Sequence, residues 1–196
     1  MDDMRNWYAS LSSQVLDLVS DYAGQELFCL EGDSVVLQCL DDTTLDFKAG
    51  FQLLQGVYNV ERLLSRFLST KCNFHIVFFD ENQGISTQAA SNIDRSKYQL
   101  AREIIYQHLK VHIQDQYPDL QVHRFPSMRS PEFHQHVQTY SVYFVMCHNG
   151  VLQNRRRLID DTLRVICNMM TLGLDVAIIN EIEWRDTKVR IFPLSV

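Results

Sequence analysis

Asp33 and Asp80 are the residues of this chain best placed to do chemistry. Asp33 follows the apolar run Leu27-Phe-Cys-Leu30, and Asp80 closes the run Phe74-His-Ile-Val-Phe-Phe79. Short apolar runs of this composition read as buried strands, and open α/β sheets bind ligands outside the carboxyl ends of their strands. If the two strands are parallel neighbours, both carboxylates emerge at one edge, within about 8 Å of each other if they are to share an ion. Paired carboxylates repel, so each pKa is expected to rise, and a hard divalent cation beside them, Mg2+ or Mn2+, relieves the repulsion. An ion held that way activates water for in-line attack on a phosphodiester. The plainer alternative is a pair of solvated loop residues, since Asp is common where strands end.

Other residue types offer other chemistry. Arg155-Arg156-Arg157, with Arg164 beyond, is the only dense basic cluster. The guanidinium fork pairs bidentately with phosphate oxygens, although a solvated helix face produces the same run. His134-Gln-His136 and Cys147-His148 carry nitrogen and sulfur donors for zinc, but no second pair follows at a set spacing. Trp7, Tyr8, Phe51, Phe67 and Phe74 sit at core spacing and read as packing. Walker-type, Gly-x-Gly-x-x-Gly, Gly-x-Ser-x-Gly and His-Glu-x-x-His motifs are all absent, so there is no nucleotide site of a known pattern.

These side chains need a scaffold. Trp7, Tyr8, Leu11, Val15, Leu18, Val19 and Tyr22 recur at helical spacing, and Gly24 fits a C-terminal cap, which predicts a first amphipathic helix. Strands are expected at 27–30 and 74–79, separated by a helix over 51–68 with Leu54, Val57, Val60, Leu64 and Phe67 on one face. The run 34–40 is ambiguous between strand and helix. Residues 81–94 are polar and read as a surface loop. A helix through Tyr98, Ala101, Ile104, Ile105 and Leu109, a strand over 120–125, and a β-rich run over 139–147 follow, the last beyond a loop bounded by Pro126 and Pro131. A helix through Leu158, Thr162, Val165, Ile166 and Met169 precedes strands over 175–184 and 188–192. Strands alternating with helices predict an α/β fold, a three-layer α/β/α sandwich with a mostly parallel central sheet.

Composition narrows the class. With 196 residues, 46% hydrophobic and 21% charged, the chain has ordinary globular composition and suits one domain, 1–196. No run is long and apolar enough for a membrane span, so no membrane partner is expected. The start Met1-Asp-Asp-Met-Arg-Asn6 lacks a secretory h-region. The five cysteines are an odd, widely spaced set, which suits reduced thiols and a cytoplasmic setting. A net charge of −6 argues against a broad nucleic-acid face. RNA contact would rest on a local patch.

Three stretches resemble a known family: Asp21-Tyr-Ala-Gly-x-Glu-Leu-Phe-x-Leu-Glu-Gly-Asp33-Ser34, Leu45-Asp-Phe-x-x-Gly-Phe-Gln-Leu-Leu54 and Cys72-Asn-Phe-His-Ile-Val-Phe-Phe-Asp80. They resemble the N-terminal PIN-like domain of the DExD/H-box protein 60 type of RNA helicase, a group with an interferon-induced antiviral member and many fungal homologues. The likeness is strongest over about residues 5–110 and continues more loosely through Trp184-Arg-Asp-Thr-Lys188. It implies a PIN-like fold placed ahead of a helicase core in a larger protein, although helicase motifs do not occur in these residues. PIN-type nucleases gather about four acids around one or two divalent ions. By position, Asp33 and Asp80 match two of these acids, and Glu61 could stand for the helical one. Where the next acid is expected, after Tyr143-Phe-Val-Met-Cys147, the chain reads His148-Asn149-Gly150, and a neutral amide supplies no charge. The resemblance thus implies a degenerate nuclease that binds at most one Mg or Mn ion, and weakly, and acts in RNA association or scaffolding. An active Mg/Mn-dependent ribonuclease using Asp33 and Asp80, and a protein-interaction domain without RNA, are the alternatives.

Overall fold

The computed structural model describes residues 2–22, 26–42, 44–46, 49–85, 87, 95–152 and 160–194. Its elements run α1 (Asp2–Ser10), β1 (Gln14–Asp17), α2 (Leu18–Tyr22), β2 (Leu27–Glu31), α3 (Gly32–Leu40), α4 (Leu53–Ser69), β3 (Asn73–Phe79), α5 (Arg95–His108), α6 (Gln114–Gln116), β4 (Val122–Phe125), α7 (Pro131–Tyr140), β5 (Phe144–Cys147), α8 (Asp160–Thr171), β6 (Asp175–Ile178) and β7 (Lys188–Phe192). A π-turn segment, Leu109–Ile113, joins α5 to α6. The strands form one sheet in the order β1-β7-β6-β5-β2-β3-β4. The five from β6 to β4 are parallel, while β7 and β1 add an antiparallel edge. The expected sandwich is the observed one. No helix among the described residues is long and apolar enough to cross a membrane.

Each parallel strand is apolar on both sides because helices cover both. Phe28, Leu30, Phe74, Ile76 and Phe78 point into one core with α3, α4 and α5. Leu27, Cys29, Val77, Phe79 and Phe125 point into the other, against α7, α8 and Tyr8 of α1. The first core centres on Phe28, which stacks on Phe144 at 4.8 Å between ring centroids and on Phe74 at 5.8 Å.

Chain order along the sheet reverses at β2. The chain steps outward through β3 and β4, then returns to β5 on the other side of β2. The switch point, where such sheets form a ligand crevice, therefore lies between β2 and β5.

Three local expectations differ from the structure: the strand expected over 175–184 stops at Ile178, where a 3-10 turn over Ile179–Glu181 takes over. The helical stripe from Trp7 to Tyr22 is cut by β1, whose residues pair antiparallel with β7. Pairing with β7 as the outermost strand of the sheet outweighs helical spacing there, and Asp17 starts the short α2 by accepting from the backbone N–H of Val19 and Ser20. Gly24 lies outside the described residues. Residues 131–140 form α7, which takes in Thr139 and Tyr140 from the run expected to be β-rich, so that β5 starts only at Phe144: Ser130 caps the helix through Phe133 N, and Pro131 occupies the first turn, where its missing N–H is not needed. The ambiguous run after Gly32 is a helix.

Gly32 makes the β2–α3 turn possible. A Cβ there would lie 2.6 Å from ring atoms of Phe78, a fully buried residue that cannot swing aside. Gly32→Ala should therefore lower stability by about 1–3 kcal/mol in urea unfolding. Adding Phe78→Leu should recover part of that loss, and no recovery would count against the steric account.

Candidate functional site

Strands β2 and β3 are parallel neighbours with Glu31 in register with Val77. Asp33, in the first turn of α3, and Asp80, just past β3, therefore leave the same edge of the sheet. Each meets an arginine there. Arg102 of α5 donates from Nε to Asp33 Oδ1 at 2.5 Å and from Nη2 to Asp33 Oδ2 at 2.8 Å. The same Nη2 donates to the Phe79 carbonyl at 3.0 Å, and the guanidinium lies over the Phe78 ring. Arg124 of β4 donates from Nε to Asp80 Oδ1 at 2.6 Å and from Nη1 to both carboxylate oxygens of Glu103.

The two acids differ in exposure and titrate differently. Burial pushes the Asp33 carboxyl up to about 7; the Arg102 hydrogen bonds pull it down and the buried Glu31 adds an upward push. Asp80 is half-exposed, and the Arg124 hydrogen bond holds it below the usual carboxylate range. The expectation that mutual repulsion raises both is therefore corrected. Arg102 of α5 and Arg124 of β4 each pair with one of the two carboxylates separately.

The rest of the edge is a polar lattice. Glu31, fully buried, accepts from Ser34 N at 2.6 Å and from Asn82 Nδ2 at 3.1 Å. Burial drives its carboxyl up. Ser34 Oγ accepts from His148 N at 2.9 Å, which ties α3 to the end of β5 across the switch point. Asn149 lies at the carboxyl edge next to β2, where the missing acid was expected. Its Oδ1 accepts from Asn180 Nδ2 at 2.8 Å, and its Nδ2 donates to Glu181 Oε1 at 2.6 Å. Arg190 Nη2 in turn donates to Glu181 Oε1 and Tyr8 Oη.

The other sequence-derived candidates lie apart from this cluster. Glu61 Oε1 is 2.7 Å from His108 Nε2, at the end of α5 roughly 9 Å of helix rise beyond Arg102. Arg164 is exposed on α8, pairs with Asp161 one turn earlier, and borders a hollow with Glu81, Asn82 and Met128. Arg155, Arg156 and Arg157 lie outside the described residues. Sequence reasoning missed Glu31, Arg102, Arg124 and Glu181. One signal for Arg102 was legible: it falls on the apolar stripe of Tyr98, Ala101 and Ile105, and a cation on a buried face needs an acid.

A hard divalent cation prefers free carboxylate oxygens. Here both Asp33 oxygens are engaged by one guanidinium, Asp80 shares another with Glu103, and Asn149 is neutral. With two guanidinium groups at the same edge, this donor set fits Mg2+ or Mn2+ poorly. The described residues that gather around a common point suited to an ion are instead histidines. His75, His123 and His136 each bring a ring nitrogen within 4.8 Å of the others. Burial holds His75 and His136 down to about 4 and lowers His123, so all three are neutral near pH 7.

Two outcomes follow from these environments. Arg102→Met strands a buried carboxylate and should cost roughly 3–5 kcal/mol in urea unfolding, part of it recovered by adding Asp33→Asn. Without its cation, Asp33 climbs further above the unfolded value, so the variant loses stability as pH rises, and the deficit should be smaller near pH 5 than near pH 8. The buried histidines give the opposite slope. His75 and His136 near 4 and His148 near 3 lie below the unfolded value of about 6.5, so the unfolded chain binds protons first. Stability should fall as pH drops from about 6.5 toward 4, read from the urea midpoint.

Comparison with known proteins agrees with this architecture. The family model described as the PIN-like domain of ATP-dependent RNA helicase DDX60 matches residues 5–194. No curated protein and no solved structure matches the chain. A mostly parallel sheet with acids at the carboxyl ends of β2 and β3, together with a family match over nearly its whole length, places this chain in the DDX60 PIN-like domain family of RNA helicases.

Proposed function

We propose that this PIN-like domain is a degenerate nuclease fold that serves in RNA association or scaffolding beside the helicase core of a full-length, cytoplasmic, antiviral-type helicase. The observation that carries the reading is the bidentate Arg102–Asp33 pair, buried at the edge where a metal-dependent nuclease needs free carboxylates. A guanidinium supplies fixed positive charge, but unlike a divalent ion it does not lower the pKa of a bound water to make a nucleophile. The edge keeps its charge balance and loses the hydrolytic step.

RNA contact then needs a surface other than this edge. The net charge of −6 disfavours a broad phosphate-binding face, which leaves Arg155, Arg156, Arg157 and the exposed Arg164 as the local patch. The active ribonuclease keeps one argument, that Asp33 and Asp80 share an edge. It requires Arg102 and Arg124 to release both acids for an ion, and it draws no ligand from Glu61, which pairs with His108 away from this edge.

Incubation with single-stranded RNA in millimolar Mn2+ should give negligible cleavage. Binding should be modest and salt-sensitive, and changing Arg155, Arg156 and Arg157 to Ala should flatten its salt dependence, because phosphate contacts release counterions. Asp33→Asn should leave binding intact. Robust cleavage abolished by Asp33→Asn or Asp80→Asn would overturn this reading in favour of the ribonuclease. No RNA binding at all would leave scaffolding through protein contacts.

A further inference from the structure

Three histidines far apart in the sequence converge on the opposite face of β3 and β4 from the Asp80–Arg124 pair. His75 shares its face of β3 with Val77 and Phe79, and His123 shares its face of β4 with Phe125. His136 reaches them from the buried side of α7. We propose that His75, His123 and His136 form a binding site for one zinc-type divalent ion, with water as its fourth ligand, that pins α7 to the sheet.

The distances suit such an ion. His75 Nδ1 and His136 Nε2 are 3.3 Å apart. Tetrahedral zinc with bonds of 2.0–2.1 Å sets its ligand nitrogens about 3.3–3.4 Å apart, so two of the three ligands already stand at the required edge length. The third nitrogen lies within 4.8 Å of both and needs only a modest inward shift. His123 Nε2 donates to Gln121 Oε1 at 3.0 Å, the kind of outer bond that fixes a ligand ring and its tautomer. In that tautomer Nδ1 carries the lone pair.

Ligand type selects the metal. Three imidazoles with no carboxylate favour zinc and its late first-row neighbours over Mg2+ or Mn2+. In the His75–His136 contact one ring donates and the other accepts. On metal binding the donor's proton moves to its far nitrogen, both facing nitrogens present lone pairs, and no proton is lost. His123 is half-buried and Tyr140, whose ring lies 4.7 Å from those of His75 and His136, is exposed, so the cluster sits near the surface on the side where a water ligand would enter.

The site also answers a packing need. Only Phe133 and His136 of α7 are buried, so the helix is lightly anchored by apolar contact. An ion bridging His136 to His75 and His123 cross-links it to two strands.

The chain, freed of metal by dialysis against a chelator, is titrated with Zn2+ by calorimetry and with Co2+ by visible absorption. One equivalent should bind, Co2+ should show the intense d–d bands of a tetrahedral site, and Tm should rise roughly 5–10 °C at about a hundred times the Kd. His136→Gln and His123→Gln should each lower affinity about a hundredfold or more, with circular dichroism confirming that the metal-free variants fold. His108 and His112, whose rings lie 5.1 Å apart on neighbouring turns, are an alternative chelating pair. The double variant His108→Gln, His112→Gln should keep the single equivalent. Without any substitution, crystals grown with Zn2+ should show anomalous density between the three rings. Binding that survives His136→Gln and vanishes in the His108, His112 variant would overturn the proposal. So would the absence of a Tm rise and of anomalous density, which would leave a hydrogen-bonded cluster of neutral rings.

Discussion

Burying the Asp33 carboxylate at the centre of the sheet edge is the constraint that orders everything around it. A charge removed from water must be matched by a partner with good geometry or lose its ionisation. Arg102 meets that demand by forking onto both oxygens while its remaining hydrogen-bonding reach satisfies the end of β3. The guanidinium then needs a flat apolar support, which the Phe78 ring provides. The same ring leaves no room for a side chain at position 32, so the glycine, the ion pair and the packing of α5 form one dependent set.

Around that pair, side-chain hydrogen bonds bridge the edge where doubly wound sheets hold a ligand. In a doubly wound sheet the strands part at the switch point and leave a crevice. Here Ser34 bonds across it to the backbone of His148, and Asn149 turns away to Asn180 and Glu181. Three acids along the edge meet an arginine: Asp33 and Arg102, Asp80 and Arg124, Glu181 and Arg190. The outcome is an edge whose charges are spent on holding the strands together.

Strand β4 shows how one short segment can serve two unrelated purposes. Successive strand residues face opposite sides. Arg124 joins the acidic edge on the α5 face, while His123 joins the histidine cluster beneath α7. A change in one need not disturb the other, because the sheet separates them.

The fold class and most elements were legible from the chain alone. Helical spacing in 53–69 and the doubly apolar runs of β2 and β3 are local patterns that tertiary contacts reinforce, and the positions of Asp33 and Asp80 at strand ends follow from them. Pattern failed where a long-range partner outweighed it. The stripe through Leu11, Val15 and Leu18 looks helical, yet β1 pairs with β7 at the far end of the sequence. The chemistry of the edge was least legible. Asp33 and Arg102 lie 69 positions apart, and His75 and His136 lie 61 apart. Type and spacing identify a strand-end carboxylate, but its charge, its proton and its availability to a metal depend on what the fold brings beside it. Local sequence decides which elements form. Only the packing of distant elements decides which buried charges meet, because electrostatic energies at this edge are set by through-space distance and burial, neither of which is written in neighbouring residues.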